Sequence, residues 1–136
     1  MREVDEEGRK YLNGFCDAFA IALHDAGYGE IAAWTNWHVD PDFDDERFPE
    51  PFHVVVVDRD TGEWMDVRGK HTRLPDSTSL IGKPVAVTLE PCTREEAIHL
   101  LTFEGVSDND IDQAREHAVK LGMISDQRMK SNLAMG

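Results

Sequence analysis

Residues 13–27 decide the fold of this chain, and they read NGFCDAFAIALHDAG. Their apolar side chains recur at the spacing of one helix face, at Phe15, Ala18, Phe19, Ala22, Leu23 and Ala26. Asn13 or Gly14 is suited to begin the helix, and Gly27 is suited to follow its last turn. The pattern therefore predicts a buried α-helix that ends at about Ala26.

Cys16 lies in the first turn of this predicted helix. Unpaired backbone N–H groups and the positive end of the helix dipole meet there, and both favour a thiolate. A thiolate at this place is a nucleophile or a metal ligand, whereas a protonated thiol is a small core residue. The helix alone leaves these three interpretations open.

The bulk composition is typical of one globular domain. The chain has 136 residues, of which 40% are hydrophobic and 30% are charged. We expect a single domain over residues 1–122 and a flexible tail over residues 123–136. No apolar run approaches the length of a membrane span, and the first residues lack the apolar segment of a secretion signal. We therefore expect a cytoplasmic protein that does not contact a membrane, in which Cys16 and Cys92 are reduced thiols.

The net charge narrows the range of partners. Acidic residues outnumber basic ones by 27 to 14, a formal net charge of −13 with neutral histidines. This sign disfavours direct binding of nucleic acid and is more compatible with a neutral or basic partner. Residues 39–51 hold three prolines and six acids, and they predict an exposed acidic loop. That loop is either simply solvated or a lid that precedes His53.

The middle of the chain predicts a small, mainly antiparallel sheet. Residues 31–37 and 84–89 read as strands, and the β-branched run at 53–58 is apolar on both faces, as a central strand is. Residues 59–62 form a hairpin turn that leads into a strand at 63–67. A polar loop over residues 70–82 separates this hairpin from the last strand.

The final third predicts two helices. Thr93 and Glu96 form a capping box that opens a helix to about Phe103, and Ser107 caps a second helix that ends near Gly122. The predicted fold class is therefore α+β: an N-terminal cysteine helix packed on the sheet, followed by two C-terminal helices.

Three residues that together support acyl chemistry occur in the order Cys16, His53 and Asp66. A thiolate attacks the acyl carbon, an imidazole takes and returns the proton, and a carboxylate orients the ring. If the turn is residues 59–62, Val55 lies opposite Asp66, and His53 shares that face one diagonal away. A turn one residue longer or shorter would move Asp66 to the other face.

The segments NGFCDAFA (13–20), HVVV (53–56) and WMDVRG (64–69) resemble the papain-like Cys-His-Asp core. Their order and spacing are most similar to its transglutaminase-like and arylamine N-acetyltransferase branch. The resemblance covers residues 11–69 and implies Cys16 as nucleophile, His53 as base and acid, and Asp66 as the residue that orients the ring. It implies a hydrolase or acyltransferase of the peptidase, amidase or deamidase type, acting on a protein or a small acyl or amide substrate.

Several alternatives accompany this interpretation. His71, just after the hairpin, is a rival base for His53. Trp34 and Trp37 are the candidates for a substrate-binding wall. His38, His99 and His117 lack a partner at the spacing of a zinc site, so we expect neither a metal nor a cofactor. The alternative to an enzyme is a non-catalytic acidic protein that masks a basic surface of its partner. The oligomeric state does not follow from the sequence.

Overall fold

The computed structural model describes residues 5–12, 14–76, 78–101 and 104–124. Its α-helices are α1 (Glu6–Arg9), α2 (Cys16–Asp25), α3 (Arg94–Leu100) and α4 (Asp108–Lys120). Its strands are β1 (Glu30–Asp40), β2 (Glu46–Val57), β3 (Trp64–Asp66), β4 (Gly69–His71) and β5 (Ala86–Pro91). The strands pair antiparallel in the order β4-β3-β2-β1-β5. The predicted α+β class with an antiparallel sheet is confirmed.

Helix α2 forms the centre of the molecule. Every residue from Cys16 to Leu23 is buried, and the helix packs against α4, α3 and strand β2. The prediction that Phe15 belongs to the buried stripe is wrong, because Phe15 precedes the first helical turn and is 42% exposed. Gly27 follows the helix with a φ of 87°, a conformation that favours glycine.

Strands β1 and β2 form a long hairpin that replaces most of the predicted acidic loop. Pairing continues from Glu30 with Val57 out to Asp40 with Glu46, and a short 3₁₀ turn over Pro41–Phe43 lies in the connection. β2 tolerates its prolines because β3 pairs only with its last residues. Among the described strands, none pairs with that edge of the first half of β2. The tip of the hairpin lies away from His53, since Asp40 lies six residues beyond Trp34, the partner of His53, or roughly 20 Å along the strand. The lid interpretation stays a prediction.

The register between β2 and β3 is the predicted one. Val56 pairs with Met65 and Val57 with Trp64, and the backbone N–H of Asp58 donates to Glu63 across the turn at 2.9 Å. The prediction of a loop from residue 70 misses β4, where His71 pairs with Trp64. A three-residue edge strand is too short to show the alternation by which strands are recognised.

The sheet separates two apolar clusters. Val54, Val56 and Met65 face the helices, whereas Val55 packs with Trp34 and Trp64 on the opposite face. This burial on both sides explains the continuous apolar run in β2.

The two C-terminal helices are confirmed, together with their capping boxes at Thr93 and Ser107. α3 ends at Leu100, and Phe103, its predicted limit, lies outside the described residues. Ile124 is 1% exposed and belongs to the core, although the sequence places it in the predicted tail over residues 123–136. Residues 125–136 of that tail lie outside the described part of the chain. In that described part, each helix is too short or too polar to traverse a lipid bilayer.

Candidate functional site

The carboxylate of Asp66 is the centre of a buried polar cluster at the end of β3. Nε2 of His53 lies 2.9 Å from Oδ2, and Nε2 of His71 lies 3.0 Å from Oδ1. Arg68 donates to the same carboxylate from Nη2 at 2.6 Å and from its backbone N–H at 2.8 Å. Asp66 is only 3% exposed, so this one carboxylate holds two imidazoles and a guanidinium in fixed positions.

These contacts determine the proton arrangement. Burial alone would raise the pKa of Asp66, but the hydrogen bonds from His53 and Arg68 outweigh it and hold the pKa well below its usual range. An ionised carboxylate only accepts hydrogen bonds, so we assign the Nε2 proton to both His53 and His71. In each neutral ring, Nδ1 is then the unprotonated nitrogen and is able to accept a proton.

Trp64 holds the two imidazoles from one side. Its ring stacks on His71 at a centroid distance of 4.3 Å and meets His53 edge-on at 6.1 Å. Its indole N–H donates to the backbone carbonyl of Arg73 at 2.8 Å, which links the site to the loop after β4. The rings are thereby fixed by packing as well as by Asp66.

Cys16 contacts the backbone of β2 next to His53. Its Sγ accepts a hydrogen bond from the backbone N–H of Val54, the residue after His53, at 3.4 Å. Among the described residues, no hydrogen bond joins this thiol to the His53 ring. The structure thus brings His53 and Asp66 together on the face of the sheet that carries Trp64. It places the cysteine with Val54 on the helix face, so the sulfur and the His53 ring lie on opposite faces of β2.

Of the three interpretations of Cys16, the described conformation favours the protonated thiol. Cys16 is 3% exposed, and burial raises the pKa of its thiol to about 12. Desolvation disfavours the charged form more strongly here than the helix start favours it. At neutral pH the thiol is therefore protonated in the described conformation. Both Cys16 and Cys92 are free thiols.

A cavity of about 200 Å³ opens next to His53. Arg68 and Leu12 contribute to its lining, and so do Pro75, Asp76 and Thr78 of the loop between β4 and β5. A groove of about 380 Å³ on the other side of Arg68 is lined by His71, Lys70 and Arg73. The two imidazoles thus border neighbouring cavities that share Arg68.

The candidates for a substrate-binding wall lie elsewhere. Trp34 is 7% exposed and packs with Val55 and Trp64, and neither Trp34 nor Trp37 lines the two cavities beside Arg68. The indole N–H of Trp37 donates to Thr88 on the neighbouring strand β5 at 2.7 Å. Sequence reasoning missed Arg68 and Arg73, although the cations at 68, 70 and 73 stand out within an acidic chain.

Glu50 fastens the loop that borders the His53 cavity. Its carboxylate accepts hydrogen bonds from the Ser79 hydroxyl at 2.7 Å, from the Leu80 backbone N–H at 2.9 Å and from Asn36 at 3.1 Å, and it meets His38 at 2.8 Å. Burial acts to raise the pKa of Glu50, but the hydrogen bonds from Ser79 and His38 lower it to about 2. The loop is therefore attached to the hairpin by an ionised carboxylate.

Within the described residues, no group of three or more histidine, cysteine, aspartate or glutamate side chains is arranged to hold a metal ion. Comparison of the chain with protein-family models, with curated proteins and with solved structures finds no match.

Proposed function

We propose that this protein is a papain-like thiol hydrolase or acyltransferase that uses Cys16, His53 and Asp66. The observation that carries the proposal is the buried His53–Asp66 pair, which leaves Nδ1 of His53 as the basic nitrogen. The sulfur of Cys16, at the first position of helix α2, contacts the residue next to this histidine. A helix start, an imidazole on the adjacent strand and a carboxylate behind the ring are the parts that thiol acyl transfer needs.

The reaction follows from these groups. Nδ1 of His53 takes the thiol proton, and Sγ attacks the carbonyl carbon of the substrate. The bond to the leaving group breaks, the leaving amine or alcohol receives the proton from Nδ1, and a thioester forms on Cys16. Water or a second nucleophile then attacks the thioester and gives its proton to Nδ1 of His53. The carbon–sulfur bond breaks, the acyl product leaves, and Sγ takes the proton back from Nδ1.

The proposal requires a rearrangement between the two faces of the sheet. Cys16 is buried with Val54 on the helix face and its thiol is protonated at rest, whereas the His53 ring meets Trp64 on the opposite face. Sγ has to come within contact of Nδ1, where an imidazolium lowers the pKa of a thiol. Substrate binding in the His53 cavity is the event that we propose brings the two atoms together.

Acylation by 4-nitrophenyl acetate tests the proposal. We expect release of nitrophenolate and the mass of one acetyl group on a peptide that contains Cys16. C16A is expected to lose this label, whereas C92A, which removes the other thiol, keeps it. H53Q is expected to slow acylation by roughly 100-fold or more, the usual contribution of a general base.

Circular dichroism and the unfolding midpoint of each variant show whether it folds. A folded C16A that still turns over the ester would overturn Cys16 as the nucleophile. If H71Q then also lost activity, the two imidazoles on Asp66 would act as an acid–base pair without a covalent intermediate. Equal acylation rates of H53Q and the unchanged protein would contradict the assigned base.

A further inference from the structure

The groove beside His71 concentrates positive charge on an acidic protein. Three permanent cations line it, Arg68, Lys70 and Arg73, against a single lining carboxylate, that of Asp76. Lys70, Arg73 and Asp76 are exposed, whereas Arg68 is partly buried by its bond to Asp66. The groove is therefore open to solvent and locally positive.

Two of these cations, like Arg47 and Lys83 elsewhere, form no ion pair with a described residue. Arg59, Arg94 and Lys120 each pair with a carboxylate, at Glu30, Asp25 and Glu7 respectively. In contrast, neither Lys70 nor Arg73 forms an ion pair with any described residue. Asp66 pairs with Arg68, and Asp76 is the one carboxylate in the lining, so Lys70 and Arg73 leave the groove with a net positive charge in a chain of 27 acids and 14 bases.

The net charge of the chain does not prevent an anion from binding here. At physiological ionic strength the Debye length is about 8 Å, so exposed charges farther away are largely screened. The cations within the groove then determine the local potential. The guanidinium of Arg73 and the ammonium of Lys70 are suited to a carboxylate or a phosphate group.

The groove adjoins the cavity at the candidate reaction centre. Arg68, Pro75 and Asp76 line both the groove and the cavity next to His53. We propose that the groove binds an anionic group, a carboxylate or a phosphate, of the acyl substrate whose scissile bond lies at His53. This inference rests on the proposed function, and it names the class of substrate on which the enzyme acts.

Binding is measured on the unchanged protein with glutarate, inorganic phosphate and neutral glutaramide. The indole N–H of Trp64 donates to the carbonyl of Arg73 in the groove wall, so its NMR signal reports on occupancy. We expect a saturable shift of this signal with glutarate or with phosphate, and none with glutaramide. A response to only one anion identifies the group that the groove prefers.

Arg73 is the residue to change, because Lys70 also borders a separate cavity that holds Asp58 and Glu63. R73Q is expected to weaken anion binding about fivefold, as for the loss of a partly exposed charge pair. K83Q removes an exposed cation outside the groove and is the matched control. Equal anion affinity of the unchanged protein, R73Q and K83Q would overturn the site.

Acylation by mono(4-nitrophenyl) glutarate is then compared with acylation by neutral 4-nitrophenyl pentanoate. We expect kcat/KM to favour the anionic ester about fivefold, and R73Q, but not K83Q, to remove the preference. Anion binding without acylation of Cys16 would leave the groove standing and refute the thiol enzyme. Acylation of Cys16 with no preference and no Trp64 shift would leave the enzyme standing and refute the groove.

Discussion

Two neighbouring residues at the start of α2 show how burial determines ionisation. Cys16 and Asp17 are 3% and 1% exposed, and burial raises the pKa of both, to about 12 for the thiol and about 6 for the carboxyl. Asp66, which is equally buried, has a lowered pKa because His53 and Arg68 donate to it. The contrast shows that hydrogen-bond partners, more than depth of burial, determine which acid is charged.

Replacement of Asp17 by asparagine is expected to stabilise the protein at neutral pH. Oδ1 of Asp17 accepts the N–H of Ala18, whereas Oδ2 is buried without a partner in the described part of the chain. A pKa of about 6 in place of 3.8 means that the folded state keeps a proton that the unfolded state loses. The contribution of Asp17 to stability is therefore greatest below about pH 4, and it falls as the pH rises from about 4 to about 6.

The raised pKa of Asp17 corresponds to a loss of about 3 kcal/mol in the free energy of unfolding at pH 7. We expect D17N to recover only about 1–2 kcal/mol of it, because the amide N–H₂ of the new asparagine stays unpaired. Urea unfolding at pH 4 and pH 7 measures the effect, with D60N, at an exposed turn position, as the control. A D17N variant that is less stable than the unchanged protein at pH 7 would contradict this account.

At the scale of elements, the β1–β2 hairpin and the loop between β4 and β5 form one unit. Glu50 on β2 holds Ser79 and Leu80 of the loop, and Thr78 and Asp76 of the same loop border the His53 cavity. The same carboxylate also contacts Asn36 and His38. A single side chain thus connects the long hairpin to the wall of the candidate site.

We expect E50Q to loosen this loop while the sheet stays folded. The neutral amide oxygen is a weaker acceptor than a carboxylate, and one of its two oxygens is replaced by a donor. Amide hydrogen exchange is expected to accelerate severalfold at Leu80 and Ile81, with little change in β1. E46Q, an exposed glutamate on the same strand, is the control.

The pH dependence follows from the pKa of Glu50, which is lowered to about 2. The loop contact is fully formed above pH 4.5, the ordinary value, and it is lost as the pH falls towards 2. Loop exchange in E50Q that matched the unchanged protein at pH 7 would show that the carboxylate does not hold the loop.

At the scale of the whole molecule, charge is unevenly distributed. The net charge is −13, yet Arg68, Lys70 and Arg73 lie together around one groove. Acidic side chains gather in the turn of the β1–β2 hairpin, where Asp44 and Asp45 adopt positive φ angles of 56° and 59°. Like charges at such a density repel one another in the compact state.

We therefore expect added salt to stabilise the fold. Raising the ionic strength from about 10 mM to about 150 mM shortens the Debye length from about 30 Å to about 8 Å and screens this repulsion. An increase in Tm of about 2–5 °C, or roughly 1 kcal/mol, is expected by differential scanning calorimetry. As a control, the increase in Tm should vanish near the pH at which the protein has no net charge. A decrease in Tm with salt would contradict this account, because it would mean that attraction between ion pairs outweighs the repulsion between like charges.

The sequence by itself determined the features that depend on neighbours along the chain. The apolar spacing from Ala18 to Ala26 specified α2, the four-residue turn at 59–62 set the register that brings His53 to Asp66, and the capping boxes marked α3 and α4. Each of these follows from contacts within a few residues, which is the range that periodicity and turn geometry report.

Only the tertiary structure decided the properties that depend on distant segments. The extension of β1 and β2 to residues 40 and 46 and the edge strand β4 arise from pairing across the sheet. The two imidazoles on Asp66, the cations around the groove and the protonated thiol of Cys16 arise from the packing of α2, the hairpins and the loop. Local sequence cannot specify these, because desolvation and charge pairing depend on whatever the rest of the chain places beside each group.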